Sequence, residues 1–138
     1  MRHETSFDPE SELIIVNAMV SGPRGRVPAR LALDTGSSVT LIVPDLLDEI
    51  GYSARDGVAR TSVTTAIGAE HGYLLKVAQL DALGFTRTAF PVHVFDLANR
   101  HGIHGLIGLN FLRNFNYEIR SEEGRIVVDE IASRRQPR

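Results

Sequence analysis

The sequence predicts a mainly β protein, a small barrel or sandwich with one or two short helices. Short apolar runs rich in Val, Ile and Leu recur along the chain, and turns bearing Gly, Pro or Ser separate them. Many short strands divided in this way are typical of small closed or sandwiched sheets. With 138 residues the chain is long enough to bury one core without a metal or disulfide staple.

Individual elements follow from local pattern. Apolar and polar residues alternate along Val27–Leu33, which is the mark of a half-buried strand. The predicted strands are Glu12–Val20, Val27–Leu33, Val39–Val43, Val58–Ala66, Tyr73–Leu80, Phe85–Phe95, Leu106–Gly108, Tyr117–Ile119 and Arg125–Val128. Pro44–Ile50 is predicted as a helix because Pro suits a first helical position and Gly51 ends it. A second short helix is predicted at Asn110–Phe115, with Asn110 as its N-cap.

Composition and charge exclude several function classes. The chain has no Cys, so disulfides, zinc–thiolate sites, iron–sulfur clusters and a catalytic thiol are excluded. A net charge of −2 argues against a nucleic-acid binder. No apolar stretch reaches the roughly 18 residues of a membrane span, so we expect a soluble, cytoplasmic chain. We expect a flexible segment over 1–10, one domain over 11–131 and a flexible tail over 132–138.

The stretch Leu31–Ile42 carries the most chemical information. Asp34 ends an apolar strand and meets the small, hydroxyl-rich turn formed by Thr35, Gly36 and Ser37. A carboxylate among Leu and Ile residues is costly unless hydrogen bonds or a proton satisfy it. An ordinary strand end with an Asx-turn is the alternative interpretation, and it is about equally favoured by Asp-Thr-Gly alone.

A second motif about seventy residues downstream favours the functional interpretation. Gly105-Leu106-Ile107-Gly108 is a very short apolar strand bracketed by two glycines. Together with Asp34-Thr35-Gly36-Ser37 and the order of elements between them, it resembles the retropepsin-like aspartic proteases, including bacterial members. The resemblance runs from about Leu13 to Val128 and implies a small closed barrel of the acid-protease type.

The resemblance also implies roles for individual residues. Asp34 would be catalytic, Thr35 would bond across a dimer axis, and Gly36 would support the carboxylates. Ser37 would contact substrate and donate to the carboxylate oxygen. Gly105, Leu106, Ile107 and Gly108 would support the site from behind. The segment around Ile67 and Gly68 would be the tip of a flap that closes on substrate.

One Asp-Thr-Gly per chain has a further consequence. Aspartic proteolysis uses two carboxylates that share one proton, one acting as acid and the other as base. The second carboxylate must then come from Asp34 of another copy, so we expect a homodimer. The expected partner is an extended, mostly apolar peptide, and no metal or other cofactor is implied.

Three competing hypotheses remain. A retropepsin-like module that dimerises and binds peptides without efficient cleavage is the main alternative, since a fold does not guarantee activity. Phosphate binding through Asp34, Gly36 and Thr40 is disfavoured because the chain is too short for the two large domains that such sites use. His101 and His104 have metal-like spacing, but two histidines are an incomplete site and favour a surface or capping role.

Overall fold

The computed structural model describes residues 1–65, 68–97 and 102–132. Within these ranges no helix is both long and apolar enough to cross a membrane. The residues in these ranges form ten strands and two short α-helices in this order: β1 (Arg2–Ser6), β2 (Ile15–Gly22), β3 (Gly25–Leu33), β4 (Leu41–Ile42), α1 (Pro44–Glu49), β5 (Ala59–Thr65), β6 (Gly68–Ala82), β7 (Phe85–Val94), β8 (Gly105–Ile107), α2 (Leu109–Leu112), β9 (Phe115–Arg120) and β10 (Arg125–Glu130).

The larger sheet closes into a barrel, as the sequence predicts. Its strand order is β2-β3-β8-β4-β7-β6-β5, and a further pairing between β2 and β6 closes six of these strands into a ring. The closing contact pairs Met19 with Asp81 and Ser21 with Gln79. Closure removes the open edges that an isolated sheet of this size would expose.

Alternation along the strands fills the barrel with apolar side chains. On β3, Ala29 and Leu31 are buried while Pro28 and Arg30 are exposed, as the sequence pattern predicts. Phe111 and Leu112 of α2 cap the interior and are completely buried. The ring of Phe111 contacts Phe90 of β7 and Phe115 of β9, so α2 is anchored to both sheets.

The amino terminus differs from the prediction of a flexible segment over 1–10. Arg2–Ser6 forms β1 and pairs antiparallel with β10, which gives a second sheet of order β1-β10-β9. His3 also stacks edge-on against Phe85 of the barrel. The partner of β1 is β10, which lies at the other end of the chain, so the polar sequence of residues 1–10 gives no sign of this pairing. Residues 133–138 of the predicted tail lie outside the described residues.

Strand β6 is longer than predicted. It starts at Gly68 rather than at Tyr73, because Thr65, Ser62 and Ala59 of β5 all find partners along it. Gly72 was assigned to a loop from sequence but lies within the strand. A Cβ at Gly72 would come within 2.0 Å of the Val94 carbonyl oxygen, so the close approach of β7 explains this glycine.

A buried ion pair joins the second sheet to the barrel. Arg87 of β7 and Glu130 of β10 approach to 3.3 Å, with side chains only 7% and 10% exposed. The Arg87 guanidinium also lies 5.3 Å from the centre of the Phe115 ring. Removing one member of such a pair leaves the other buried and uncompensated.

We therefore predict that Glu130→Ala lowers the free energy of unfolding by about 3–5 kcal/mol. The matched control is Glu123→Ala, which removes the carboxylate that Arg120 contacts at 2.7 Å on the surface. That change should cost no more than about 1 kcal/mol. Urea unfolding followed by circular dichroism measures both, and equal losses would show that burial does not control this pair.

Candidate active site

The Asp34 turn begins where β3 ends. The Leu33 amide donates to Ile14 O at 2.8 Å, and the Asp34 amide donates to Ile107 O at 3.0 Å. The backbone entering the turn is therefore held by β2 on one side and β8 on the other. Asp34 Oδ1 accepts a hydrogen bond from the Gly36 amide at 2.9 Å, which orients the half-buried carboxylate. Thr35 and Gly36 lie exposed at the surface of the turn.

Two glycines let β8 pass directly behind this turn. β8 runs parallel to β3 and antiparallel to β4, with Leu33 opposite Ile107 and Ile42 opposite Gly105. A Cβ at Gly105 would lie 1.8 Å from Leu41 O, and one at Gly108 would lie 2.0 Å from Val39 O. Neither glycine can carry a side chain without moving backbone. The role that the sequence analysis assigns to this segment, support of the site from behind, stays a prediction.

Thr40 and Asn110 form a polar link that the sequence analysis missed. Thr40 is fully buried, and its hydroxyl donates to Asn110 Oδ1 at 2.7 Å and accepts from the Gly108 amide at 3.2 Å. Asn110 Nδ2 also donates to Pro91 O at 3.0 Å. The prediction that Asn110 is the N-cap of α2 is wrong, because Gly108 holds that position. The network ties the chain after the Asp34 turn to β7, β8 and α2.

Ser37 has other partners than the predicted carboxylate. Its hydroxyl donates to Val39 O at 2.8 Å and accepts from the Val39 amide at 3.3 Å. Its carbonyl accepts from the Leu109 amide at 2.8 Å, so the first residue of α2 is bonded directly to the turn. The predicted donation from Ser37 to Asp34 is wrong in this chain, because the hydroxyl closes a local turn instead.

Leu13 is a further residue that sequence reasoning did not single out. Ile15 pairs with Ala32 and the Leu33 amide bonds Ile14 O, so the next position along this register sets Leu13 across from Asp34. Leu13 is 40% exposed, and it lines a cavity of about 350 Å³ with Ser11, Glu12, Ile15 and Arg30. Only the strand register could have found it, since Leu13 carries no motif of its own.

The β5–β6 hairpin lies where the sequence analysis placed a flap. The two strands pair from Ala59 with Leu74 to Thr65 with Gly68. Gly68 is thus the first residue of β6. Ile67, the other residue assigned to the tip, lies outside the described residues.

His104 hydrogen-bonds the backbone of β3 at Arg30. His104 Nδ1 accepts from the Arg30 amide at 2.9 Å, and the His104 amide donates to Arg30 O at 2.8 Å. His104 therefore bonds strand backbone, and the surface or capping role that the sequence analysis favours for the pair stays a prediction. His101 lies outside the described residues, and among those described no group of three or more His, Cys, Asp or Glu could hold a metal ion.

His93 of β7 has a partly buried ring with a nitrogen that is unpaired among the described residues. Its amide donates to Thr40 O at 2.8 Å, and its ring stacks on Phe95 with centroids 6.2 Å apart. The ring Nδ1 is buried and has no hydrogen-bond partner among the described residues. Burial lowers the pKa of His93 from its usual 6.5, because the charged imidazolium would lose hydration there.

Comparison with known proteins agrees with this geometry. Residues 16–111 match the model of the aspartyl protease family, which is well over half of the 138-residue chain. The fold and the Asp34 turn thus define a retropepsin-like aspartic protease domain, and the chain belongs to the aspartyl protease family. None of the curated proteins compared with the chain is similar enough in sequence to count as a match.

Solved structures share the fold at low sequence identity. A retropepsin-like aspartic protease from Rickettsia conorii has a TM-score of 0.68 and 17% identity, covering 92% of this chain and 98% of its own. The EIAV protease, solved with an inhibitor, has a TM-score of 0.59 and 15% identity over 79% of this chain and 92% of its own. The retroviral protease-like domain of Ddi1 from Leishmania major has a TM-score of 0.59 and 16% identity over 88% and 92%.

We predict that Gly108→Ala destabilises the protein and displaces the Asp34 turn. The new Cβ would meet two backbone oxygens, Val39 O at 2.0 Å and Ser37 O at 2.7 Å, so the strand must move. A cost of about 1–3 kcal/mol or more is expected for overpacking of this kind. Gly36→Ala is the comparison, because a Cβ there meets only Asp34 Oδ1 at 3.3 Å. Thermal unfolding should separate the two variants clearly.

We also predict that His93 makes the fold less stable in acid. Because its folded pKa lies below its unfolded pKa of about 6.5, the unfolded chain binds more protons in the window below 6.5. Stability should therefore fall as pH drops through that value, and His93→Gln should flatten this dependence. Denaturant titrations between about pH 5 and 7.5 test it, with the exposed His71→Gln as control. An unchanged slope in His93→Gln would contradict the prediction.

Proposed function

We propose that this protein is an aspartic endopeptidase whose catalytic centre is formed by Asp34 from two copies of the chain. The observation that carries the proposal is the Asp34 turn itself, with its carboxylate oriented by the Gly36 amide and its backbone braced by β2 and β8. A buttressed carboxylate at the end of a strand is the element that the acid-protease mechanism needs twice.

The two carboxylates have complementary roles in this mechanism. Two acids about 3 Å apart cannot both ionise, so they share one proton. The ionised Asp34 takes a proton from the attacking water, while the protonated Asp34 polarises the carbonyl of the peptide bond. The tetrahedral intermediate then collapses as the leaving nitrogen gains a proton. Thr35 bonds across the dimer axis in this proposal, and Gly36 presents its backbone to the substrate.

The expected substrate is an extended peptide with apolar side chains. Leu13 and Ile15 are the apolar residues of the cavity that Arg30 also lines, and the β5–β6 hairpin offers strand backbone that an extended peptide can pair with. Closure of this hairpin as a flap, with Ile67 and Gly68 near its tip, would exclude water from the reacting bond. No metal or other cofactor has a role in this proposal.

Asp34→Asn should abolish cleavage while leaving the fold intact. The assay incubates wild type and variant with a diverse peptide pool from about pH 4 to 7, and mass spectrometry identifies the new ends. The matched control is Asp48→Asn, which makes the same chemical change at an exposed position of α1 and should cleave at the wild-type rate. Equal cleavage by Asp34→Asn would remove Asp34 from the mechanism.

A mixing experiment tests the shared centre. At fixed wild-type concentration, a threefold excess of Asp34→Asn should lower activity to about a quarter, because most wild-type chains then pair with an inactive copy. An active single chain would keep its full rate. If the folded protein dimerises and binds peptides but cuts none of them, it is a binding module, the alternative that the sequence also allows.

A further inference from the structure

We propose that Arg30 gives this protein a preference for substrates with an acidic side chain near the cleaved bond. The inference rests on the proposed function, since it names a substrate feature that a centre at Asp34 would select. Arg30 lies on β3, four residues before Asp34. In a symmetric dimer each copy contributes one Arg30, so an acidic residue on either side of the bond has a partner.

Arg30 and Asp34 lie on the same side of the β2–β3 ladder. Side chains alternate along β3, with Ala29 and Leu31 buried in the barrel and Arg30 exposed on the opposite face. Continuing this alternation past the end of β3 sets Asp34 on the Arg30 face. Four residues of strand measure about 13 Å, and an extended peptide covers that distance with about four residues of its own. We therefore expect the acidic residue within about four positions of the bond.

A cavity on this face links Arg30 with the position opposite Asp34. Arg30 lines a cavity of about 350 Å³ together with Leu13 and Ile15. Because the β2–β3 register sets Leu13 across from Asp34, Leu13 marks the side of the cavity nearer to the turn. The lining combines apolar side chains with a cation. Such a lining suits a side chain that has an apolar stem and ends in a carboxylate.

The Arg30 side chain is positioned by hydrogen bonds that leave its outer nitrogens available. Its amide donates to His104 Nδ1 at 2.9 Å, and its carbonyl accepts from the His104 amide at 2.8 Å. Its Nε donates to Gly102 O at 3.1 Å. The two terminal nitrogens have no hydrogen-bond or ion-pair partner among the described residues. A guanidinium held in this way can bind a carboxylate through both nitrogens with little further loss of freedom.

Two acidic residues near Arg30 are the argument for a different occupant, a basic side chain. Glu12 lines the same cavity, and Asp8 lines an adjoining cavity of about 310 Å³ that Arg30 also lines. Both are exposed, and in the described chain neither forms an ion pair with Arg30. Water and salt screen such exposed carboxylates. Arg30 differs from them because its side chain is tied to Gly102 O, so we infer an acidic occupant and make the basic one an outcome of the test.

Matched peptides test the preference. The starting point is a peptide that the wild type cleaves, remade with Glu, Gln or Lys at each position up to four residues from the bond. At about pH 6 a peptide glutamate is ionised, since its pKa is about 4.3. The wild type should cleave the best Glu peptide with a kcat/KM roughly fivefold above that of its Gln counterpart, because a charge-assisted hydrogen bond at an exposed site has about this effect.

Variants of Arg30 assign the preference to this side chain. Arg30→Gln should lower the Glu-to-Gln ratio of kcat/KM to about one. Arg30→Lys keeps the charge without the planar fork and should retain part of the ratio. Arg26→Gln is the matched control, because Arg26 is an exposed residue on the same face of the same strand, farther from Asp34, and it should keep the wild-type ratio. A ratio that survives in Arg30→Gln would overturn the inference.

The pH dependence of the ratio separates binding from a merely structural role of Arg30. The preference should shrink as pH falls from about 6 to about 3.5, because the peptide carboxylate gains a proton. Both peptides meet the same enzyme, so changes in the activity of the enzyme itself cancel in the ratio. If Arg30→Gln slowed both peptides equally, or if the wild-type ratio did not change with pH, Arg30 would not bind the acidic side chain.

The outcomes distinguish failure of this inference from failure of the proposed function. Equal rates for the Glu and Gln peptides, or faster cleavage of the Lys peptide, would overturn the inference and leave Asp34 as the centre of cleavage. Failure of the wild type to cleave any peptide would overturn the proposed function, and this inference with it.

Discussion

The passage of β8 between β3 and β4 is the constraint on which the rest of the structure depends. β8 pairs with β3 through all three of its residues and with β4 through Gly105 and Leu106, and neither Gly105 nor the adjoining Gly108 has room for a Cβ. The nearby backbone of the same chain, at Leu41 and Val39, therefore requires glycine at positions 105 and 108. A turn conformation is not the reason for either glycine. Because the Asp34 amide bonds Ile107 O, the same crossing holds the reactive turn. The same backbone contacts thus fix both the packing of the barrel and the orientation of the carboxylate.

Hydrogen bonds between buried polar groups make this packing specific. The Thr40 hydroxyl accepts from the Gly108 amide and donates to Asn110, so this buried hydroxyl is fully paired. A network of this kind stabilises the fold only when all its members are paired. His93 is the exception, since its ring Nδ1 is buried without a partner among the described residues. Protonation of His93 therefore opposes folding.

Local chemistry made the main parts of the site predictable. An acid at the end of an apolar strand and two glycines around two apolar residues each have a physical reason visible in sequence, so Asp34 and Gly108 could be chosen as candidates. Leu13 was not found, because its place opposite Asp34 depends on the β2–β3 register. Asn110 was assigned to a cap, since its pairing with Thr40 lies 70 residues away along the chain. β1 was missed for the same reason: its partner strand lies at the other end of the sequence.

The closed barrel and the intramolecular second sheet separate folding from association. β1 pairs with β10 of its own chain, and Arg87 joins that sheet to the barrel through Glu130. Each chain thereby fills its own core, and among the described residues the sheet edges are β1, β5 and β9. Under the proposed mechanism a single folded chain has half a catalytic centre. Its stability then depends on the barrel, while under that mechanism its activity depends on how often two chains meet, so protein concentration itself would control proteolysis.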